Sequence, residues 1–131
     1  MLDNTSSKRW RILVVDDNRD AAQGLATLLT SHNQVVQQAY DGATAVETAQ
    51  YFQPEIVFLD LMMPNMDGFA VAQKLRELEQ MTTTRAVIVA LTACEDPPFR
   101  EATAEADFDL HLNKPASARE VMQVVTTTHP A

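Results

Sequence analysis

Four stretches of this chain place charged or hydroxyl-bearing residues directly behind apolar runs. Asp16-Asp17 follow Ile12-Leu13-Val14-Val15, and Asp60 follows Ile56-Val57-Phe58-Leu59. Thr92 follows Ala86-Val87-Ile88-Val89-Ala90-Leu91, and Lys114-Pro115 come soon after Phe108 to Leu112. Any one of these aspartates alone has an ordinary explanation as a helix cap or a solvated loop residue. Together they read differently. Three carboxylates converging on one rim repel each other unless a cation sits among them, and hard oxygen ligands of this kind suit Mg²⁺. Lys114 adds a fixed positive charge and Thr92 a hydroxyl donor, the groups that a transferring phosphoryl needs around its equatorial oxygens.

Other reactive side chains have weaker cases. Cys94 lies two residues past Thr92 but has no histidine beside it in sequence, and free cysteine usually serves as a small apolar side chain. His32 falls at a helix end and His129 in a tail, so both read as solvated surface. Met62, Met63 and Met66 cluster after Asp60, where loop packing explains them better than an adaptable contact surface. His111, taken alone, reads as a partly buried histidine rather than a ligand.

The elements that must position the acidic residues alternate in kind. The five apolar runs, counting Val35-Val36 with Ala39, have strand length, and three of them are continuous rather than alternating, as in strands covered on both faces of a parallel sheet. Between them Ala22, Leu25, Ala26 and Leu29 recur at helical spacing, as do Val71, Leu75 and Leu78, and then Ala118, Val121, Met122 and Val125. This (βα)5 pattern implies an α/β doubly wound three-layer sandwich, with its ligand site beyond the carboxyl ends of the strands. Asp41-Gly42 precedes the second helix, Asp67 is placed to cap the third, and Ser117 or Pro115 opens the last.

Composition narrows the classes. The 131 residues, 46% hydrophobic, suit one domain with a real core. A formal charge of −8 excludes a nucleic-acid surface on this unit, because nothing replaces the counterions of a phosphate backbone. The single cysteine forms no internal disulfide, and no stretch approaches the roughly 18 apolar residues of a membrane span. Residues 1–10 and 127–131 are expected to be tails or linker stubs around a domain at 11–126, and the cytoplasm is the expected location.

The segments Ile12-Leu13-Val14-Val15-Asp16-Asp17-Asn18, Leu59-Asp60-Leu61-Met62-Met63-Pro64-Asn65-Met66-Asp67-Gly68, Ala90-Leu91-Thr92-Ala93 and His111-Leu112-Asn113-Lys114-Pro115 resemble the receiver domains of two-component response regulators. The resemblance covers about residues 11–126. It implies a flavodoxin-like fold with a five-stranded parallel sheet of order 2-1-3-4-5. It makes Asp60 the phosphoacceptor and Asp16, Asp17, Asp60 and the Met62 backbone carbonyl the Mg²⁺ ligands. Thr92 and Lys114 would contact the phosphoryl oxygens, and Lys114–Pro115 would be a cis peptide. A histidine kinase or histidine phosphotransfer protein would be the donor. Output would pass to a further domain or protein through the face of the fourth helix, fifth strand and fifth helix, where a homodimer also forms in this family. By the same resemblance, apolar Met62 and Cys94 flank the phosphoryl group and orient no water, which implies slow dephosphorylation.

Two positions depart from the commonest family pattern. His111 stands where Tyr or Phe usually acts as the switch residue, a version similar to receivers attached to hybrid sensor histidine kinases, and a histidine there would titrate near neutral pH. Asp107 stands where a glycine is frequent before the fifth strand. Rival readings fare worse. An aspartate-nucleophile phosphohydrolase needs a second acid two residues on, where this chain has Met62 after Asp60 and Arg19 after Asp17. A nucleotide-binding module needs a Gly- or Ser/Thr-rich loop after the first strand, where two carboxylates stand instead. A pseudo-receiver would have lost some of the five chemical positions, and all five are present.

Overall fold

The computed structural model describes residues 9–63, 66–79, 85–93 and 108–128. Five parallel strands form one sheet: β1 (Arg11–Val15), β2 (Val35–Ala39), β3 (Ile56–Asp60), β4 (Val87–Thr92) and β5 (Leu110–Asn113), in the order β2-β1-β3-β4-β5. Helices α1 (Arg19–Ser31), α2 (Gly42–Phe52), α3 (Gly68–Glu79) and α4 (Ala118–Thr127) cover it. The expected helix between β4 and β5, like Cys94, Asp107 and His129, lies outside the described residues.

Every residue of β3 is buried, which explains why its run is uninterrupted by polar residues. The pleat sends Leu13, Val15, Val57, Leu59, Ile88 and Ala90 to one face, against Ala45 and Ala49 of α2 and Val71, Ala72 and Leu75 of α3. Ile12, Val14, Ile56, Phe58, Val89 and Leu91 go to the other, against Ala22 and Leu29 of α1 and Val121, Val124 and Val125 of α4. Trp10, expected in the amino-terminal tail, is only 3% exposed and packs in this second cluster, so the buried body begins before β1.

Capping follows the expected chemistry. Asp41 Oδ1 accepts the Thr44 N–H at 2.7 Å, and Asp67 Oδ1 accepts the Phe69 N–H at 2.9 Å. Of the two candidates for the last helix, Ser117 is the cap, trading hydrogen bonds with Glu120 in a capping box. Asn18 caps α1 through the Ala21 N–H.

The boundaries shift in places. Asp60 and Thr92 are the last residues of their strands rather than the first beyond them. The fifth strand begins at Leu110 instead of Phe108, because the Asp109 carboxylate accepts the Ile88 N–H at the mouth of the ladder. The stretch after Asp60, read as a loop, contains a short antiparallel pair, Met62–Met63 with Met66–Asp67.

Candidate functional site

In this strand order the chain leaves β1 toward β2 and returns on the other side to β3, so the sheet's topological switch point is the crevice between the carboxyl ends of β1 and β3. Asp16 and Asp60 stand there. The Asp16 N–H extends the β1–β2 ladder by donating to the Ala39 carbonyl at 3.1 Å, and Asp16 Oδ1 accepts the Asn18 N–H at 2.9 Å. Asp60 closes β3 opposite Leu91, and the following Leu61 N–H donates to the Leu91 carbonyl at 3.0 Å, pinning the exit from β3 onto β4. Both aspartates are 3% exposed, while Asp17 is open to solvent. Carboxylate oxygens of Asp16, Asp17 and Asp60 lie within 4.8 Å of one another.

Lys114 reaches this cluster from β5. Its N–H donates to the Thr92 carbonyl at 2.9 Å, which ties the end of β5 to the end of β4. Its Nζ lies 3.1 Å from Asp16 Oδ2 and 3.5 Å from Asp60 Oδ2, bridging the two buried carboxylates. Burial works against the ammonium charge, but the hydrogen bond that Lys114 donates to Asp16 and the charges of Asp60 and Asp16 outweigh it and hold the Lys114 pKa above its ordinary value. The Lys114–Pro115 peptide is cis, as the resemblance implied. Thr92 is fully buried at the end of β4, next to Asp60's strand.

One lysine against three carboxylates leaves the cluster net negative, and every donor in it is oxygen. That set fits a hard divalent cation such as Mg²⁺. Met62 opens the short antiparallel pair two residues past Asp60, which keeps its backbone close to the cluster in sequence. His111 is half-buried on β5 and pairs with Ala90, two residues before Thr92. Strand alternation puts Ala90, Thr92 and His111 on the α3 face of the sheet.

One positioning residue escaped the sequence reading as such. Gly68 opens α3 so close to β3 that a β-carbon there would lie 2.7 Å from Leu61 Cδ2, 2.9 Å from Leu61 Cα and 3.2 Å from the Asp60 carbonyl oxygen. The Asp67-Gly68 step was visible, but not its contact with the residue next to Asp60.

The family model for the response regulator receiver domain matches residues 12–126. Response regulator MprA of Mycobacterium ulcerans is 36% identical over 112 residues, 86% of this chain and 47% of that protein. Its counterpart in Mycobacterium avium is 35% identical over the same length. The chain thus spans about half the length of the curated relatives it matches. Among solved structures, a response regulator signal receiver domain from Bermanella marisrubri aligns with a TM-score of 0.78 at 28% identity, over 90% of this chain and 96% of that one. The fold is also shared with the receiver domain of Ssk1 from Saccharomyces cerevisiae, solved with the histidine phosphotransfer protein Ypd1. There the TM-score is 0.82 at 23% identity, over 90% and 87% of the two chains. With the match running from β1 through α4, and the acidic cluster seated at the switch point between, this chain belongs to the response regulator receiver domain family.

Proposed function

We propose that Asp60 is the phosphoacceptor of this receiver domain and that a phosphohistidine on a histidine kinase or histidine phosphotransfer protein is its donor. The observation that carries the reading is the bridging of Asp16 and Asp60 by Lys114 at the switch point, with Asp17 completing the carboxylate set. In the transfer, a carboxylate oxygen of Asp60 forms a bond to phosphorus as the P–N bond breaks. The imidazole nitrogen keeps that electron pair and takes a proton from solvent. Asp16, Asp17, Asp60 and the Met62 carbonyl would hold Mg²⁺, which would supply charge neutralisation when bound. Lys114 offers a second cation to the phosphoryl oxygens, and Thr92 a hydroxyl. The chain modifies itself and is not a turnover enzyme. It carries no second acid two residues after Asp60, where Met62 stands, so hydrolysis of the acyl phosphate is slow.

The same reading places the chain in the cytoplasm, where ATP-charged kinases present their phosphohistidine. It has the signal leave through β5, α4 and the helix expected between β4 and β5, to an output domain or partner protein or through a homodimer. Leu110, 43% exposed on the edge strand, offers apolar surface on that side.

Incubation with Mg²⁺ and acetyl phosphate is expected to add one phosphoryl group by intact mass, and Asp60→Asn to remove the reaction. Equal labelling of the Asn variant would sink the assignment.

A further inference from the structure

Arg19 opens α1 two residues after Asp17, on the loop that carries two of the three clustered carboxylates. Asp16, Asp17 and Asp20 all stand near it in sequence. Among the described residues its guanidinium nevertheless forms no ion pair, and it lies instead over the ring of Tyr40, 4.1 Å from the centroid. Tyr40 directly follows Ala39, whose carbonyl accepts the Asp16 N–H, so the stacked pair sits at the same end of the sheet as the carboxylates. The Tyr40 hydroxyl donates to Gln38 Oε1 at 3.0 Å, which fixes the ring.

This arrangement has a chemical consequence. An arginine turned onto Asp17 would occupy a carboxylate that a divalent cation needs. Stacked on an aromatic face, it keeps its full charge and leaves its in-plane N–H donors open to an anion. The pocket behind it is net negative before any cation binds, a field that repels an arriving phosphoryl anion.

Resting on the phosphoacceptor reading, we propose that Arg19, held by Tyr40, is a specificity-determining residue that captures the anionic phosphoryl group of a donor at the rim of the site. No bond changes at this step. Arg19 acts on arrival, and the transfer to Asp60 follows. A merely structural tie between α1 and β2 would behave differently, since its loss would loosen the whole carboxylate loop.

The two roles separate by sign. Removing a rim cation weakens capture of an anion but leaves binding of a cation unchanged or tighter, whereas a damaged loop weakens both. The test follows phosphorylation by acetyl phosphate with intact mass, and Mg²⁺ affinity by calorimetry, in wild type, Arg19→Gln, Arg19→Lys and Tyr40→Leu. For Arg19→Gln the bimolecular rate constant is expected to fall about three- to tenfold at low ionic strength, and less at high salt. Its Mg²⁺ affinity stays equal or rises. Arg19→Lys keeps most of the rate, and Tyr40→Leu, which retains the charge but not its position, falls between. An unchanged rate in Arg19→Gln, or a fall matched by weakened Mg²⁺ binding, overturns the proposal. A Tyr40→Leu rate equal to wild type overturns the part given to the stack. If the wild-type chain takes no label, the phosphoacceptor reading fails and this one with it. Label on wild type with an indifferent Arg19→Gln defeats this one alone.

Discussion

A β-carbon at Gly68 would press into Leu61, including its backbone, and the Asp60 carbonyl lies just behind. Backbone cannot swing aside as a side-chain tip can, so Gly68→Ala is expected to cost about 1–3 kcal/mol in urea unfolding. It should also slow acetyl phosphate labelling, because the displaced atoms adjoin Asp60, the proposed phosphoacceptor. Gly24 gives the opposite sign. It is exposed inside α1 with nothing within 4 Å of an added β-carbon. Gly24→Ala should therefore stabilise the chain by about 1 kcal/mol, from helix propensity alone. Loss of stability in that variant would show that the helix does not tolerate a side chain at this position. The chemical residues were legible because each follows an apolar run that betrays its strand. The need for glycine at 68 was not, because its partner Leu61 comes into contact only after the short antiparallel pair folds the chain back.

At the scale of elements, the end of the sheet opposite the site is held by a set of ionic contacts. Arg76 of α3 pairs with Glu79 at 2.9 Å and with Asp109 at 2.7 Å, and donates to the Ala86 carbonyl ahead of β4. Arg85 adds a second contact to Asp109 at 3.0 Å. Asp109 in turn accepts the Ile88 N–H, so one carboxylate joins α3, β4 and the start of β5. Burial alone would push its pKa up, yet the Ile88 N–H, Arg85 and Arg76 together hold it below the ordinary value. A carboxyl with a depressed folded pKa contributes stability above its unfolded pKa of about 3.9 and loses it as pH falls through the folded value. Asp109→Asn is thus expected to destabilise by about 1–3 kcal/mol at neutral pH. Urea curves of the two proteins should converge once the wild-type carboxyl protonates, and a gap that persists in acid would assign the loss to packing. None of this was visible in the sequence. Arg76, Arg85 and Asp109 lie on separate segments, and Phe108-Asp109 read as the opening of a strand, since nothing local shows that the carboxylate turns back to Ile88.

For the molecule as a whole, the periodicities of apolar residues sufficed to predict the five strands and the layers, because buried parallel strands must be continuous in hydrophobicity. The order of strands rested on resemblance to a family, and the sheet bears it out. What periodicity cannot express is coupling between the site and a distant face. We propose a route for that coupling through Thr92 and His111. Phosphorylation at Asp60, as proposed above, would place about two negative charges there, and a hydroxyl would gain a charge-assisted hydrogen bond by moving toward them. Thr92 ends the neighbouring strand, its carbonyl is bonded to the Lys114 N–H, and His111 lies two register pairs away on the same face. Movement of the Thr92 side chain would vacate space toward a half-buried imidazole on an edge strand that, among the described residues, pairs only with β4. Two arrangements separated by a few kcal/mol suffice for a ligand to shift the population. Beryllofluoride with Mg²⁺ is therefore expected to move the NMR resonances of β5 and α4 as well as those around Asp60. In Thr92→Ala the analogue should still bind while the β5 and α4 shifts shrink, because the group that reports the charge to His111 has gone. Full-sized shifts in that variant would route the coupling elsewhere. Shifts confined to the loops around Asp60 in wild type would make this domain a phosphoryl relay that accepts and passes the group without changing shape at β5.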